Sequence, residues 1–158
     1  MNPWPRHPLI YEINTWVWLQ ELSRKHGRAV TLANVPSGEW DALSSLGVDA
    51  IWLMGVWERS PAGVRVALNN AGLMADFRRA LPDLEPADIV GSPYCVRRYV
   101  VDDHLGGRAG LAAARGMLRD RGLRLILDFV PNHVAPDHPW VLEHPGYFIR
   151  GDGDDSVR

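Results

Sequence analysis

Residues 48–54, Val-Asp-Ala-Ile-Trp-Leu-Met, and 123–130, Leu-Arg-Leu-Ile-Leu-Asp-Phe-Val, are two short and mostly apolar runs. Neither gives a clean polar face to water, so each reads as a strand covered on both sides, as in a parallel sheet flanked by helices. The stretch before each run has helical character. Ser37-Gly38-Glu39 reads as a helix start, with Ser37 as N-cap and Glu39 in the first turn. Trp40, Leu43 and Leu46 then recur at helical spacing, and Gly47 suits the end of that helix. From Gly106 onward, Leu111, Ala114 and Leu118 form a second stripe, Arg115 and Arg119 lie one turn apart on another face, and Gly122 provides the cap. Residues 9–19 follow a Pro-rich lead and are dense in aromatic and β-branched side chains, which predicts a first strand interrupted by Glu12 and Asn14. Residues 20–38 read mainly as connection.

The predicted order is therefore β-α-β-loop-α-β. Strands joined through helices pair in parallel with right-handed crossovers. This α/β start fits either an open doubly wound sheet or a (β/α)8 barrel. A dinucleotide-binding sheet needs a Gly-rich turn after its first strand, and the chain reads Trp16-Val17-Trp18-Leu19-Gln20 there. Residues 55–104 are the least regular part. A short helix is expected within 70–80, and Pro82, Pro86 and Pro93 break the remainder. So long a segment is not a plain connection; it is functional or packs on itself.

The formal net charge of −2, with no basic run, argues against nucleic acid or an anionic membrane surface as partner. Gly151-Asp152-Gly153-Asp154-Asp155 is the one charge-biased stretch. The first residues lack the pattern of a secretory signal, and no apolar run approaches the roughly 20 residues of a membrane span. Cys95 is the single cysteine, so no internal disulfide forms, which suits a reducing cytoplasm, the expected location. Trp is abundant, at positions 4, 16, 18, 40, 52, 57 and 140. These rings either pack the core or present an apolar face to a pyranose, and composition leaves both open.

Asp128 falls at the C-terminal end of the last predicted strand, the active-site rim of a parallel α/β architecture. Burying its charge requires partners. Asn132 and His133 follow within one turn. The structural alternative is a capped strand end beside a satisfied surface histidine. The spacing Asp128-x-x-x-Asn132-His133 resembles the first conserved region of glycoside hydrolase family 13 (the α-amylase family), which lies at the end of the third barrel strand. The context agrees: Leu9-Ile10-Tyr11-Glu12-Ile13 stands at the first strand, and the motif follows a long second loop. Gly91-Ser92-Pro93-Tyr94, Tyr99 and the segment from Asp102 to Gly107 also resemble the family's approach to its second helix. The likeness spans roughly residues 9–150.

The resemblance implies the N-terminal part of a (β/α)8 TIM barrel, about three βα units, ending before the later strands. It divides the chain into 1–130, with a long loop at 55–104, and 131–158, the start of the excursion after the third strand. It implies an enzyme acting on α-glucosidic bonds of oligo- or polysaccharides by hydrolysis or transglycosylation with a retaining mechanism. Tyr94 would be an aromatic platform under the sugar, His133 would bond a sugar hydroxyl, and Asp128 would orient a later active-site Arg. Asn132 would supply an oxygen where a family member holds calcium. That ion wants six to eight oxygens, and no further set is apparent; the expectation is that no cofactor is required, with calcium left open. Two positions depart from the family's pattern: Cys95 and Arg98 stand where Asp is frequent.

Retaining glycosidases need a nucleophile and an acid/base. The family carries them on its fourth and fifth strands, past the end of this sequence. Glu12, Glu58 and Glu143 read as structural or solvated rather than as substitutes. A metal cluster of His104, His133, Asp137 and His138 is opposed by Pro136 and Pro139, which deny His133 and His138 a common helix. Trp140, Tyr147 and Phe148 are expected to pack the excursion. The chain is thus expected to be an N-terminal portion of a longer coding sequence and inert by itself. The alternative is a non-catalytic sugar-binding remnant or an incomplete gene product.

Overall fold

A computed structural model describes residues 4–149; the acidic run at 151–155 lies outside the described residues. The chain divides into two compact units, Met1–Val56 with Val100–Phe129, and Trp57–Tyr99 with Val130–Arg158.

The first unit holds a three-stranded sheet. β1 (Ile10–Asn14), β2 (Ala50–Met54) and, late in the chain, β5 (Arg124–Ile126) lie in the order β1-β2-β5. Both pairings are parallel, as the sequence predicts, with Ile10 opposite Ala50 and Ala50 opposite Arg124. β2 is central, and Ala50, Ile51 and Leu53 are fully buried, which explains why it has no polar face. Asp49 fixes the register at the strands' N-terminal end. Its carboxylate accepts the Leu9 N–H at 2.8 Å, its own N–H donates to Leu9 O, and its carbonyl accepts the Arg124 N–H at 3.1 Å. Since a slip of one residue would turn every side chain to the other face, this double anchor specifies the sheet.

β1 stops earlier than its composition suggests. Residues 15–19, expected to prolong the strand, open the helix α1 (Thr15–His26). The Asn14 side chain accepts the Val17 N–H, Gly27 closes the helix in the left-handed region, and Arg24, Lys25 and His26 occupy the negative C-terminal end. Thr15, Leu19 and Leu22 are buried; their helical spacing overrides the β propensity of Trp16, Val17 and Trp18. α2 (Ser37–Ser44) forms as expected, but Pro36 is its N-cap and Ser37 is its first helical residue, without a side-chain capping bond. Trp40 is 1% exposed and meets Trp18 edge-on with centroids 5.2 Å apart. Leu46, placed by its spacing on the same stripe, lies beyond the helix and is 52% exposed.

The segment 55–104 is not a structureless loop. It contains β3 (Trp57–Arg59), α3 (Pro61–Asn69), α4 (Ala71–Ala80) and β4 (Val96–Val101). β3 and β4 form a separate two-stranded sheet. Ser60 caps α3 by accepting the Gly63 N–H at 2.8 Å, and Asn70 caps α4 by accepting the Leu73 N–H at 3.0 Å. The helix expected within 70–80 is α4, and α3 was not anticipated. α5 (Gly107–Arg119) leads into β5 through Gly122, at φ +76°. β5 is shorter than the apolar run that predicts it: its pairing ends at Ile126, and Phe129 is exposed. α6 (Pro139–Glu143) starts at Pro139 with His138 as its cap. Among the described residues, no helix is long and apolar enough to cross a membrane.

The contrast within the predicted stripe is testable by urea unfolding. Trp40→Ala should cost about 3–5 kcal/mol through lost burial and a cavity. Leu46→Ala should stay within about 0.5 kcal/mol. Equal losses at the two positions would contradict the packing described.

Candidate functional site

The conserved-type motif begins in the first unit. Asp128 lies two residues past β5 and is buried. One carboxylate oxygen accepts the Trp52 Nε1–H at 2.9 Å, and the other accepts the Gly55 N–H at 2.6 Å. Trp52 belongs to β2 and Gly55 directly follows it. The carboxylate therefore ties the chain after β5 to the C-terminal end of the neighbouring strand. Gly55 sits at φ +80°, a conformation available to glycine at little cost. Charge-assisted bonds to an indole and an amide provide the partners that a buried carboxylate requires.

The remaining residues of the motif belong to the second unit. Tyr94 stands in the turn 92–95, where its N–H donates to Ser92 Oγ and the Cys95 N–H donates to Ser92 O. Tyr94 is 41% exposed. His133 Nε2 lies 3.1 Å from the Tyr94 carbonyl oxygen. A carbonyl only accepts, so Nε2 carries the proton in that bond. His133 Nδ1 then presents its lone pair to the Asn132 side-chain amide, 3.4 Å away. Tyr94, Asn132 and His133, thirty-eight or more residues apart across Tyr94 and the other two in sequence, are thus brought together as exposed groups.

The approach to this cluster is held by residues the sequence did not single out for the purpose. The Tyr99 hydroxyl accepts the Val130 N–H at 2.7 Å and donates to Val130 O at 3.1 Å, while its ring meets Trp57 edge-on. The Ala135 N–H donates to Val96 O. Residues 131–134 are therefore fixed at both ends. Asp137 accepts the Ser60 hydroxyl at 2.5 Å and the Ala62 N–H at 3.2 Å, with Arg97 Nε at 3.7 Å. It sits at the start of α3, where a carboxylate suits the positive end of the helix. Burial alone would raise its pKa, but the Ser60 bond, the amide and Arg97 outweigh it and hold the carboxyl below its ordinary value. No local sequence signal marks a pair so far apart in the chain.

The two departures from the family pattern have structural roles. Arg98 and Arg97 on β4 both bond Glu58 on β3, at 2.5 and 2.6 Å. The Arg98 bond, aided by Arg97 and opposed by burial, holds Glu58 below the ordinary carboxylate range, so Glu58 is a permanently ionised tie at neutral pH. Cys95 is half-buried, and burial pushes its thiol up against the opposing effect of a Ser60 hydrogen bond. Glu12 and Glu143 are exposed. The residues weighed as a metal cluster are engaged elsewhere: His104 bonds Asp102 at 2.8 Å, His138 accepts the Trp140 N–H, and Asp137 caps α3. Among the described residues, no group of three or more His, Cys, Asp or Glu is placed to hold a metal. Beside Asn132 stands an imidazole rather than the oxygens that calcium prefers, so calcium enters no step below. Trp140 lies edge-on to His138 and Tyr147 while remaining 49% exposed.

Because its pKa is lowered on folding, Asp137 stabilises the fold fully above its ordinary value near 3.8. That contribution disappears as pH falls through the lower folded value. Asp137→Asn should lower the urea midpoint by a nearly constant amount above about pH 5, and the gap should close as pH falls below about 4. A gap independent of pH would contradict the ionic origin of this contact.

Comparison with known proteins identifies the family. The chain is 38% identical over 69 residues to the α-1,4-glucan:maltose-1-phosphate maltosyltransferase of Pseudomonas aeruginosa, covering 40% of this chain and 10% of that protein. It is 29% identical over 101 residues to the amino acid transporter heavy chain SLC3A1 of Rattus norvegicus, covering 63% and 11%. It thus spans about a tenth of the length of these curated relatives. Its fold matches the crystal structure of an α-amylase from Lactobacillus plantarum with a TM-score of 0.63 at 20% identity, over 92% of this chain and 27% of that one. The strands described above correspond to part of such a barrel. The family model for the α-amylase catalytic domain matches residues 38–147, more than half of the chain, and the chain belongs to that family.

Proposed function

We propose that this chain is part of the catalytic barrel of an enzyme that acts on α-glucosidic bonds, by hydrolysis or transglycosylation with a retaining mechanism. The observation that carries the reading is the docking of the His133 ring on the Tyr94 main chain, in a chain of the α-amylase family. It holds an imidazole at the main chain of an exposed aromatic residue, a pair of residue types that suits gripping a pyranose by one face and one hydroxyl.

In this reading Tyr94 is the platform. His133 Nε2–H is spent on the Tyr94 carbonyl, so Nδ1 accepts a sugar O–H in exchange for its long contact with Asn132. A bond of this kind contributes to rate where it strengthens as the ring distorts toward the oxocarbenium-like transition state. Asp128 is a positioning residue. In this reading Asp128 also orients an Arg from a later strand. The nucleophile and acid/base, roughly 5 Å apart in retaining enzymes, would come from strands beyond the third. The proposed setting is the cytoplasm, which the single cysteine suits.

A second reading is a non-catalytic sugar-binding or incomplete product; one relative bears the name of a transporter heavy chain and not of an enzyme. The coding sequence downstream of Arg158 separates the two. An open frame carrying an Arg-x-Asp region supports the enzyme, and a stop codon supports the alternative.

The 158-residue chain is expected to show no turnover of maltooligosaccharides, and clear turnover would contradict the assignment of its residues to a supporting role. Maltoheptaose titrated into the chain should perturb Tyr94 and His133. His133→Ala should weaken binding about fivefold, the equivalent of about 1 kcal/mol for one hydrogen bond. Unchanged affinity in that variant would remove His133 from the site.

A further inference from the structure

Within the second unit, α3 and α4 enclose a cavity of about 700 Å³ against residues 84–95 and Pro136. Its walls are Val66 and Ala67 from α3, Leu73 and Phe77 from α4, and Leu81 and Leu84 from the chain that follows. None of the residues of either helix is buried, and Val66, Leu73 and Leu81 are 50%, 39% and 39% exposed. Both helices therefore direct apolar side chains into a concavity rather than into a filled core. Monomeric proteins leave large apolar side chains clustered in this way chiefly at binding sites.

The polar groups of the lining are few, and none is cationic. Asp88 is the one charged side chain among them, and its carboxylate accepts the Glu85 N–H at 2.9 Å. Ser92 Oγ accepts the Tyr94 N–H. Cys95 lines the cavity beside Gly63, where a Cβ would come within 3.1 Å of the thiol sulfur, so the bare glycine leaves room for that side chain. Burial keeps this thiol protonated at neutral pH. The volume falls within the range of small-molecule sites, roughly 300–1,000 Å³. A sugar would find too few hydrogen-bond partners, and an anion would find no counter-charge. The cavity differs in chemistry from the Tyr94 and His133 cluster and does not depend on the glucosidic reading.

We propose that this cavity is a binding site for a small, uncharged, apolar molecule. Occupancy covers Val66, Leu73 and Leu81 and closes access to Cys95. Since Cys95 is the single cysteine of the chain, it reports directly on the site.

The test uses the full 158-residue chain and the neutral fluorophore N-phenyl-1-naphthylamine. Saturable binding is expected, with Cys95 alkylation by N-ethylmaleimide slowed at least fivefold at saturation. Ala67→Trp, which fills the cavity from α3, should reduce affinity at least tenfold, with the circular dichroism spectrum and maltoheptaose affinity unchanged. Ala80→Trp fills it from α4 and serves if the first variant fails to fold. Non-saturable binding, affinity unchanged in the folded variants, or alkylation unaffected by the probe would overturn the proposal. Self-association of the wild type that disappears in Ala67→Trp would also overturn it, by assigning the surface to a second copy of the chain.

Discussion

The buried carboxylate of Asp128 is the constraint on which the first unit depends at the functional end of its sheet. Two strands in parallel leave their C-terminal ends unconnected, because each crossover returns to the opposite end. Asp128 closes that end by accepting from Trp52 in β2 and from the amide just beyond it. Asp49 acts at the other end, bonding Leu9 and Arg124. Asp49, through its side chain and main chain together, thus fixes the entry to the sheet, and the Asp128 carboxylate fixes the exit. Between them the fully buried Ala50, Ile51 and Leu53 provide the apolar burial but no register.

The second unit reaches order differently. Its helices are thinly packed, and its precision comes from polar ties across long sequence separations. Glu58 joins β3 to Arg97 and Arg98, Tyr99 grips Val130 by both main-chain groups, and Asp137 joins Ser60 and the start of α3. Each tie places a neighbour of Tyr94 or of His133. The positions that depart from the family pattern serve this scaffold: Arg98 as a cross-strand ion-pair partner, Cys95 as a neutral thiol in an apolar wall. A site held by such ties keeps its exposed groups in place without a dense core beneath them.

The sheet was legible in the sequence because an apolar run without alternation has few places to go, and the helices before β2 and β5 show their period in Trp40 and Leu43 and in Ala114 and Leu118. Residues 15–19 misled because local β propensity points one way while the Asn14 cap and the Leu19–Leu22 spacing point the other, and packing decides. α3 opens on Pro61 and Gly63, residue types that give no helical signal but function there as a first-turn proline and a capped amide. Asp128, Asn132 and His133 stood out as a spaced motif, and Tyr94 through its resemblance to the family. Their bonding partners were not legible, since Trp52, Gly55 and Ser60 are joined to them, or to their supports, only through folding, and Tyr99 was marked by the resemblance but not as the grip on Val130. A tryptophan within an otherwise aliphatic strand was the one available hint, because a buried indole N–H needs an acceptor.

The central claim is that the Asp128 carboxylate ties the chain after β5 to the C-terminal end of β2. Hydrogen exchange at the Gly55 amide and the Trp52 indole, followed by NMR, measures this directly. Both protons should be protected in the wild-type chain, and both should lose protection in Asp128→Ala while the amides of Ile51 and Leu53 keep theirs. Free exchange at Gly55 and Trp52 in the wild type would show that the carboxylate is not committed to this tie and would contradict the account.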